Sequence, residues 1–343
     1  MEKLYQRLRT IDSNNRNIVC TVVDGKHFGE KALFSNEHLI WETSADGFFS
    51  HSDFGTNEIK KSGCYTVGSE SAFCEIVGNE KKIIVCGAGH VSIPVVQLGR
   101  MMGFKVTVLE DRPKFADDAR RADAHKVICD AFSHGLENVS GDKDTYFVIV
   151  TRGHRYDMEC LEKISRKEHA YIGMIGSRMR VKKVIDTLIE KGCNENVLKN
   201  VYTPIGLDIG AETPEEIAIA IMAQIIEVKN KINRSGGYSK KMLRSIMELE
   251  VDNRKKILAT IVSRKGSAPR AVGTKMLILP DGNCIDTIGG GCVESEVVRK
   301  GIHMLRTGKV EPQIYHVDMT GQNAEEDGMV CGGEVDIMFE VVP

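Results

Sequence analysis

The sequence predicts an α/β protein with a doubly wound parallel sheet and a smaller mixed α/β domain, of which a degenerate copy precedes the sheet. Three observations indicate this fold class. Short apolar runs alternate with helical patterns in the middle of the chain, a glycine turn follows the first of these runs, and similar strand patterns lie on either side. We therefore expect a degenerate copy at 1–80, the parallel-sheet domain at 81–232 and the intact copy at 240–343.

The composition excludes several classes of partner. The 343 residues exceed one ordinary core, and 42% apolar with 27% charged residues is typical of a globular protein. The net charge of -2 and the absence of a dense basic tract argue against nucleic acid and anionic membranes. No apolar run has the length of a membrane span or of a signal peptide. The ten cysteines form no CxxC pair, which favours free thiols in a reducing cytoplasm.

The clearest fold signal is the segment "KKIIVCGAGHVSIPVVQLGRMMGFKVTVLEDRP". An apolar strand leads into Gly87 and Gly89, a helix follows, and a second strand ends at Glu110, about twenty residues beyond the glycines. This pattern is typical of a dinucleotide-binding Rossmann fold, although Ser92 replaces the third glycine. The candidate nucleotide-binding residues are Gly87, Gly89, His90, Glu110 and Asp111. The alternative is a scaffold without nucleotide, in which the two acids are merely solvated.

Further strand-to-helix loops follow along the chain. A strand through Val150 leads into a loop from Arg152 to Asp157, and another strand leads into Gly176 and Ser177. Ligands collect at the carboxyl ends of parallel strands, so both loops are candidate contacts, with solvated turns as the alternative. The next helix is predicted to begin with a capping box between Thr213 and Glu216.

An internal repeat flanks the predicted Rossmann domain. Three pairs of segments match: Arg16–Val23 with Lys255–Val262, Gly29–Leu33 with Gly273–Leu277, and Phe73–Val77 with Met338–Val342. The first copy lacks the "KGSAPR" loop, the glycine run and the "CGG" stretch of the second. We therefore expect the chemistry to belong to the second copy.

The stretch "TIGGGCVESEVV" places Gly289, Gly290 and Gly291 directly before Cys292 and a helical pattern. A glycine loop that opens a helix directs N–H groups and the positive end of the helix dipole to one place, which suits an anion such as phosphate. The same field lowers the pKa of a cysteine and favours its thiolate. The alternative is a tight turn followed by a small buried thiol.

A second cysteine lies beside glycines in the same copy. Cys331 precedes Gly332 and Gly333 at the start of the last strand, thirty-nine residues after Cys292. The loop with Ser267 and Arg270 adds a guanidinium suited to phosphate. Both cysteines are candidate reactive groups, and the candidate cofactor-binding residues of this copy are Gly289, Gly290, Gly291, Glu294, Ser267, Arg270, Gly332 and Gly333.

These motifs resemble a known family. "KGSAPRAVGTKMLILPDG", "TIGGGCVE" and "GMVCGGEVDIMFE" are similar to the XdhC/CoxI domain of xanthine dehydrogenase accessory factors. "VCGAGHVS", "YIGMIGSR" and "PIGLDIGAETPEEIA" resemble the Rossmann domain of that family. Family members commonly place the XdhC/CoxI domain first, whereas here the intact copy follows the Rossmann domain.

The resemblance implies maturation of a molybdenum hydroxylase rather than turnover by the chain itself. It implies binding of molybdenum cofactor, sulfuration of that cofactor with a cysteine desulfurase, and its delivery to the apo-hydroxylase. We also expect NAD(P) or another nucleotide at the Rossmann domain, and a homodimer. Two other functions stay open: an NAD(P)-dependent oxidoreductase with His154 as proton donor, and a non-catalytic nucleotide sensor.

Overall fold

The structure, a computed structural model, describes residues 2–232, 237–247, 254–267, 270–319 and 333–343, with side chains for all of these except Glu2, Arg178 and Cys292. The chain divides into two compact units. One contains residues 80–232, and the other combines 1–79 with 233–343. No helix in the described ranges is long and apolar enough to cross a membrane. The predicted fold class is confirmed.

The elements are numbered along the chain. Within the described residues the helices are α1 (Glu2–Thr10), α2 (Ser92–Met101), α3 (Pro113–Arg121), α4 (Phe132–Glu137), α5 (His154–Ile164), α6 (Arg178–Glu190), α7 (Glu195–Lys199), α8 (Pro214–Lys231), α9 (Lys240–Met247) and α10 (Gly291–Thr307). The strands are β1 (Asn17–Asp24), β2 (Lys31–Ser35), β3 (His38–Glu42), β4 (Gly63–Val67), β5 (Glu70–Val77), β6 (Lys82–Cys86), β7 (Lys105–Glu110), β8 (Lys126–Cys129), β9 (Thr145–Ile149), β10 (Tyr171–Met174), β11 (Lys256–Gly266), β12 (Lys275–Ile278), β13 (Cys284–Ile285), β14 (Gln313–Asp318) and β15 (Gly333–Val342).

The 80–232 unit is a doubly wound parallel sheet with the strand order β10-β9-β6-β7-β8. One core cluster combines one face of the sheet with α2, α3 and α8, and the other combines the opposite face with α4 to α7. The strands are therefore apolar on both faces, as the continuous runs in the sequence predict. The strand order reverses between β6 and β9, which is where this class of sheet opens a crevice for ligands.

The predicted capping box opens α8. The Thr213 hydroxyl accepts a hydrogen bond from the Glu216 N–H at 3.3 Å, and the Glu216 carboxylate accepts one from the Thr213 N–H at 3.1 Å. Pro214 occupies the first turn, where its missing N–H costs nothing. Ile221 and Ile225, one turn apart, then pack into the core of this unit.

The other unit contains the two copies of the repeat as two antiparallel sheets. Their strand orders are β3-β2-β1-β5-β4 and β13-β12-β11-β15-β14, so the corresponding strands occupy the same places. Both central pairings also carry a bulge at the same position, between Val22 and Asp24 in one sheet and between Ile261 and Ser263 in the other. The degenerate N-terminal copy is thus confirmed.

The two sheets differ in what covers their outer faces. In the second copy α10 packs over the sheet, and Val297 and Met304 contribute to its core cluster. In the first copy residues 43–62 form a loop with one short 3-10 turn, and Phe49 fills the corresponding place over the apolar strand residues. The first copy therefore has neither the glycine run nor the helix that follows it.

Gly87 and Gly89 provide a matched test of the β6–α2 turn. Gly87 has φ +107°, and an added Cβ would lie 2.5 Å from the Val150 carbonyl oxygen, whereas an added Cβ on Gly89 meets no atom of the described residues within 4 Å. We expect Gly87→Ala to lower the free energy of unfolding by about 2 kcal/mol or more, because the backbone cannot yield. Gly89→Ala should leave it unchanged or slightly raised. Urea unfolding followed by circular dichroism measures both, and equal midpoints for the two variants would contradict this account.

Candidate functional site

The glycine run adopts a conformation that other residues rarely adopt. Gly289, Gly290 and Gly291 have φ of +138°, +75° and +70°, all in the left-handed region. A Cβ added to Gly290 or Gly291 would meet no atom of the described residues within 4 Å, so these residues leave the space beside the turn open. The 17-residue α10 begins at Gly291, and Cys292 therefore lies in its first turn, as predicted. The Cys292 side chain is not among the described side chains.

Two N–H groups of this turn are bound by its own side chains. The Gly289 N–H donates to the Thr287 hydroxyl at 3.1 Å, and the Gly290 N–H donates to the Glu294 carboxylate at 3.1 Å. The Thr287 hydroxyl also donates to that carboxylate. The sequence predicts that the N–H groups of the loop converge on an anion. At these two groups the chain's own Thr287 and Glu294 are the acceptors, and binding of an external anion at the turn stays a prediction. Together with burial, Glu294 raises the pKa of the half-buried Cys284 thiol.

The structure brings Ser267 and Gly333 together. Gly266 ends β11 and pairs in register with Gly333, which starts β15. A Cβ on Gly333 would lie 2.4 Å from the Ser267 carbonyl oxygen, so the two segments can approach only because residue 333 is glycine. Arg270 is exposed in the following bend. Cys331 and Gly332 lie outside the described residues, and the predicted meeting of the two cysteines stays a prediction.

The glycine run and the start of β15 border one core cluster. Ile288 precedes the run and Val293 follows it, and both belong to the cluster that also contains Val335 and Met319. Met319 and Gly333 are in addition joined by a backbone hydrogen bond of 2.9 Å. These contacts place the segments with the family motifs around the same sheet.

The Rossmann turn combines a tight and an open glycine. Gly87 lies against the end of β9, whereas Gly89 faces open space and His90 is exposed. Next to Gly89 is a cavity of about 320 Å³ between α2 and α3. It is lined by Ala88, Gly89, His90, Ile93, Gln97, Phe115, Asp118, Arg121 and Ala122. The second glycine of the motif thus borders open space among the described residues, and nucleotide binding there stays a prediction.

The acid at the end of β7 stabilises this turn. Glu110 is fully buried, and its carboxylate accepts hydrogen bonds from the Ala88 N–H at 2.7 Å and from Arg112 Nε at 2.7 Å. Asp111 is the more exposed acid, and the Arg152 guanidinium lowers its pKa to about 2. Both predicted acids are therefore engaged by groups of this unit. Their role toward a ribose stays a prediction.

The loops after β9 and β10 reach the same edge of the sheet as the Rossmann turn, because these strands are parallel neighbours. Gly176 and Ser177 follow β10, and Ser177 precedes α6 without a side-chain cap. After β9, Asp157 is buried and accepts a 2.6 Å hydrogen bond from the Thr151 hydroxyl. Burial raises the pKa of Asp157. Nδ1 of His154 is buried without a hydrogen-bond partner among the described residues.

A large cavity in the first copy was not predicted from the sequence. It measures about 1010 Å³ and is lined by three segments of that copy: the loop after β1, residues 44–58 and the β4–β5 turn. Its acidic lining residues are Glu30, Asp46, Asp53 and Glu58, and no lysine or arginine of the described ranges lines it. The corresponding segments of the second copy carry the family motifs, so an acidic cavity stands at the equivalent place. No group of three or more His, Cys, Asp or Glu in the described part of the chain could hold a metal ion.

Comparisons with known proteins agree with these two regions. Residues 83–225 match the XdhC Rossmann domain, and residues 251–318 match the XdhC and CoxI family. An uncharacterized protein of Escherichia coli, YqeB, is 31% identical over 171 residues, covering 50% of this chain and 31% of that protein. A protein of Bacillus subtilis described as a probable xanthine dehydrogenase subunit is 26% identical over 160 residues, covering 47% of this chain and 46% of that protein. The chain thus spans less than half the length of these curated relatives.

Among solved structures, a xanthine dehydrogenase from Bacillus halodurans is similar with 24% identity and a TM-score of 0.48, covering 66% of this chain and 63% of that one. The two family matches cover the Rossmann unit and most of the second copy of the repeat, which are the regions with the glycine turns described above. The chain belongs to the XdhC and CoxI family.

Proposed function

We propose that the chain is an accessory factor for a molybdenum hydroxylase of the xanthine dehydrogenase type, which binds molybdenum cofactor and supports its sulfuration and insertion. The observation that carries this proposal is the open glycine turn at the start of α10, in the copy that matches the XdhC and CoxI family. The contact between Ser267 and Gly333 adds a second motif at the end of the neighbouring strands.

The second copy offers an open helix start to an anionic cofactor, but one of the N–H groups there is already bound. No described atom lies within 4 Å of a Cβ placed on Gly290 or Gly291, and the start of a long helix favours a phosphate. The N–H of Gly290 is taken by Glu294, so Arg270 and the later N–H groups of the turn are the proposed phosphate contacts. Molybdenum cofactor supplies a soft metal centre, for which cysteine thiolates are suitable neighbours.

The chain's own groups are proposed to hold the cofactor and protect it during the exchange of an oxo for a sulfido ligand. Cys292 and Cys331 are the proposed thiol contacts, and Ser267, Gly332 and Gly333 complete the surrounding loop. A cysteine desulfurase is the proposed sulfur source, and an apo molybdenum hydroxylase is the proposed recipient. In this account the change in activity appears in the recipient.

A nucleotide at the Rossmann unit is the second part of the proposal. Support comes from the open face of Gly89, the cavity beside it and the reversal of strand order between β6 and β9. NAD(P) or a related nucleotide fits this arrangement. An oxidoreductase activity would use the groups at the end of β9, where His154 and the buried Asp157 lie, and is kept as the alternative.

The cysteines give the direct test of the first part. Cys292→Ser and Cys331→Ser keep the approximate side-chain size and remove the soft ligand, so we expect folded protein and a client hydroxylase with a desulfo cofactor. Cys284→Ser is the matched control, because this half-buried thiol lies in the same copy outside the proposed site. The measurement is the sulfido content of a hydroxylase co-expressed with each variant. Equal content in all samples would contradict a role for the thiols.

Gly89→Val tests the second part. A Cβ at this position meets no described atom within 4 Å, so we expect the valine to occupy the open face of the turn with an unchanged unfolding midpoint while nucleotide affinity falls at least tenfold. Gly55→Val is the control, since an added Cβ there also meets nothing within 4 Å. Calorimetric titration with NAD(H), NADP(H) and adenosine phosphates measures the affinity. If the unaltered chain binds none of them, the nucleotide proposal fails and the first part stands unaffected.

A further inference from the structure

The two copies of the repeat are equivalent residue by residue in their sheets. Lys31 pairs with Thr21 across β1 and β2, and Lys275 pairs with Thr260 across β11 and β12. Across the next pair of strands, Glu75 lies opposite Val19 and Glu340 lies opposite Leu258. Lys31 therefore corresponds to Lys275, and Glu75 corresponds to Glu340.

These corresponding residues form two reciprocal ion pairs between the copies. Nζ of Lys31 lies 2.9 Å from the carboxylate of Glu340, and Nζ of Lys275 lies 2.5 Å from that of Glu75. All four side chains are at most 3% exposed. Each lysine thus binds the glutamate of the other copy. Such reciprocity is the mark of a two-fold interface between two identical partners.

The apolar contacts between the copies also join equivalent residues of the two sheets. One cluster joins Val23 and Phe73 of the first copy to Val262 and Met338 of the second. Val23 and Val262 are the two bulge residues, and Phe73 and Met338 face the corresponding threonines. A larger cluster joins the equivalent residues Val19, Leu33 and Val77 with Leu258, Leu277 and Val342. The inner faces of the sheets are therefore preserved as a symmetric pair.

The rest of the first copy has diverged. It lacks the glycine run and α10, and acidic residues line its cavity at the place equivalent to the family motifs. Its inner face is thus what it still shares with the second copy. Glu75 on that face binds Lys275 and lies next to Gly273, since a Cβ on Gly273 would be 3.2 Å from its carboxylate. Gly273 ends the loop that contains Ser267 and Arg270.

We propose that residues 2–79 act as a built-in partner subunit. The second copy of the repeat packs against these residues of its own chain through a two-fold interface. Without them, a second chain would have to provide that half of the interface. Glu75 is a positioning residue in this interface, because it fixes the inner end of the loop in front of β12. A homodimer of this chain would then have to use another surface. The inference is independent of the ligand that the glycine turn binds.

Exchange between chains tests this proposal. Lys275→Met and Glu75→Leu each remove one half of this buried ion pair, and each should lower the thermal unfolding midpoint of the full chain by on the order of 10 °C. The double variant in one chain removes both charges and should recover most of that loss. An equimolar mixture of the two single variants, unfolded and refolded together, should not recover, because each chain pairs with itself. Lys265→Met is the control, since the Lys265–Glu334 pair is exposed.

Recovery in the mixture would overturn the proposal, because only an interface between chains can combine the two altered residues. Single variants that unfold like the unaltered chain would overturn the role of the ion pair. If a single variant does not fold alone, the soluble yield after co-expression of both variants distinguishes the same outcomes. Low yield supports pairing within the chain, and restored yield contradicts it.

Discussion

Two buried lysine–glutamate pairs join the two copies of the repeat. The packing of the unit formed by residues 1–79 and 233–343 depends on them. A buried charge without its partner costs several kcal/mol, so each pair ties one copy of the repeat to the other. Lys31 reaches a residue 309 positions away, and Lys275 reaches one 200 positions away. The Rossmann unit is inserted in the sequence between the two copies. We therefore expect the second copy to fold together with the N-terminal strands.

The same pairs favour one arrangement over others more than they add stability. A buried ion pair replaced as a whole by apolar residues often costs nothing, whereas a broken one is strongly destabilising. Two sheets with apolar inner faces could otherwise pack in several relative positions. Four charged residues occupy reciprocal places: Lys31, Glu75, Lys275 and Glu340. Only the two-fold arrangement pairs each of these lysines with a glutamate of the other copy. This constraint also explains how the first copy could lose its motifs and remain part of the fold.

The unusual domain order has a physical explanation in this arrangement. Because the two copies are equivalent partners, either could retain the family motifs while the other retains only the inner face. Here the second copy has the glycine turn and α10, and the first has the aromatic loop around Phe49 and an acidic cavity. The glycine-turn site therefore occurs once in the described chain. An anionic cofactor would find carboxylates instead of N–H groups at the equivalent place.

Local signals were readable from the sequence, and long-range ones were not. The Thr213 capping box, the apolar strands around Gly87 and the start of α10 each depend on neighbouring residues and on a known periodicity. Glu110 and Glu294 show the limit. Both are candidate ligand-binding residues in the sequence, and both bind backbone N–H groups of their own glycine turns. That engagement depends on tertiary geometry, as do the ion pairs across 200 positions and more.

The most direct measurement of the central claim is the molybdenum and pterin content of the full chain purified from a host that makes molybdenum cofactor. We expect molybdenum and pterin in equal amounts, at no more than one of each per chain, because only one copy has the glycine turn. Protein that carries neither molybdenum nor pterin would contradict the accessory function. Two cofactors per chain would contradict the assignment of the site to the second copy alone.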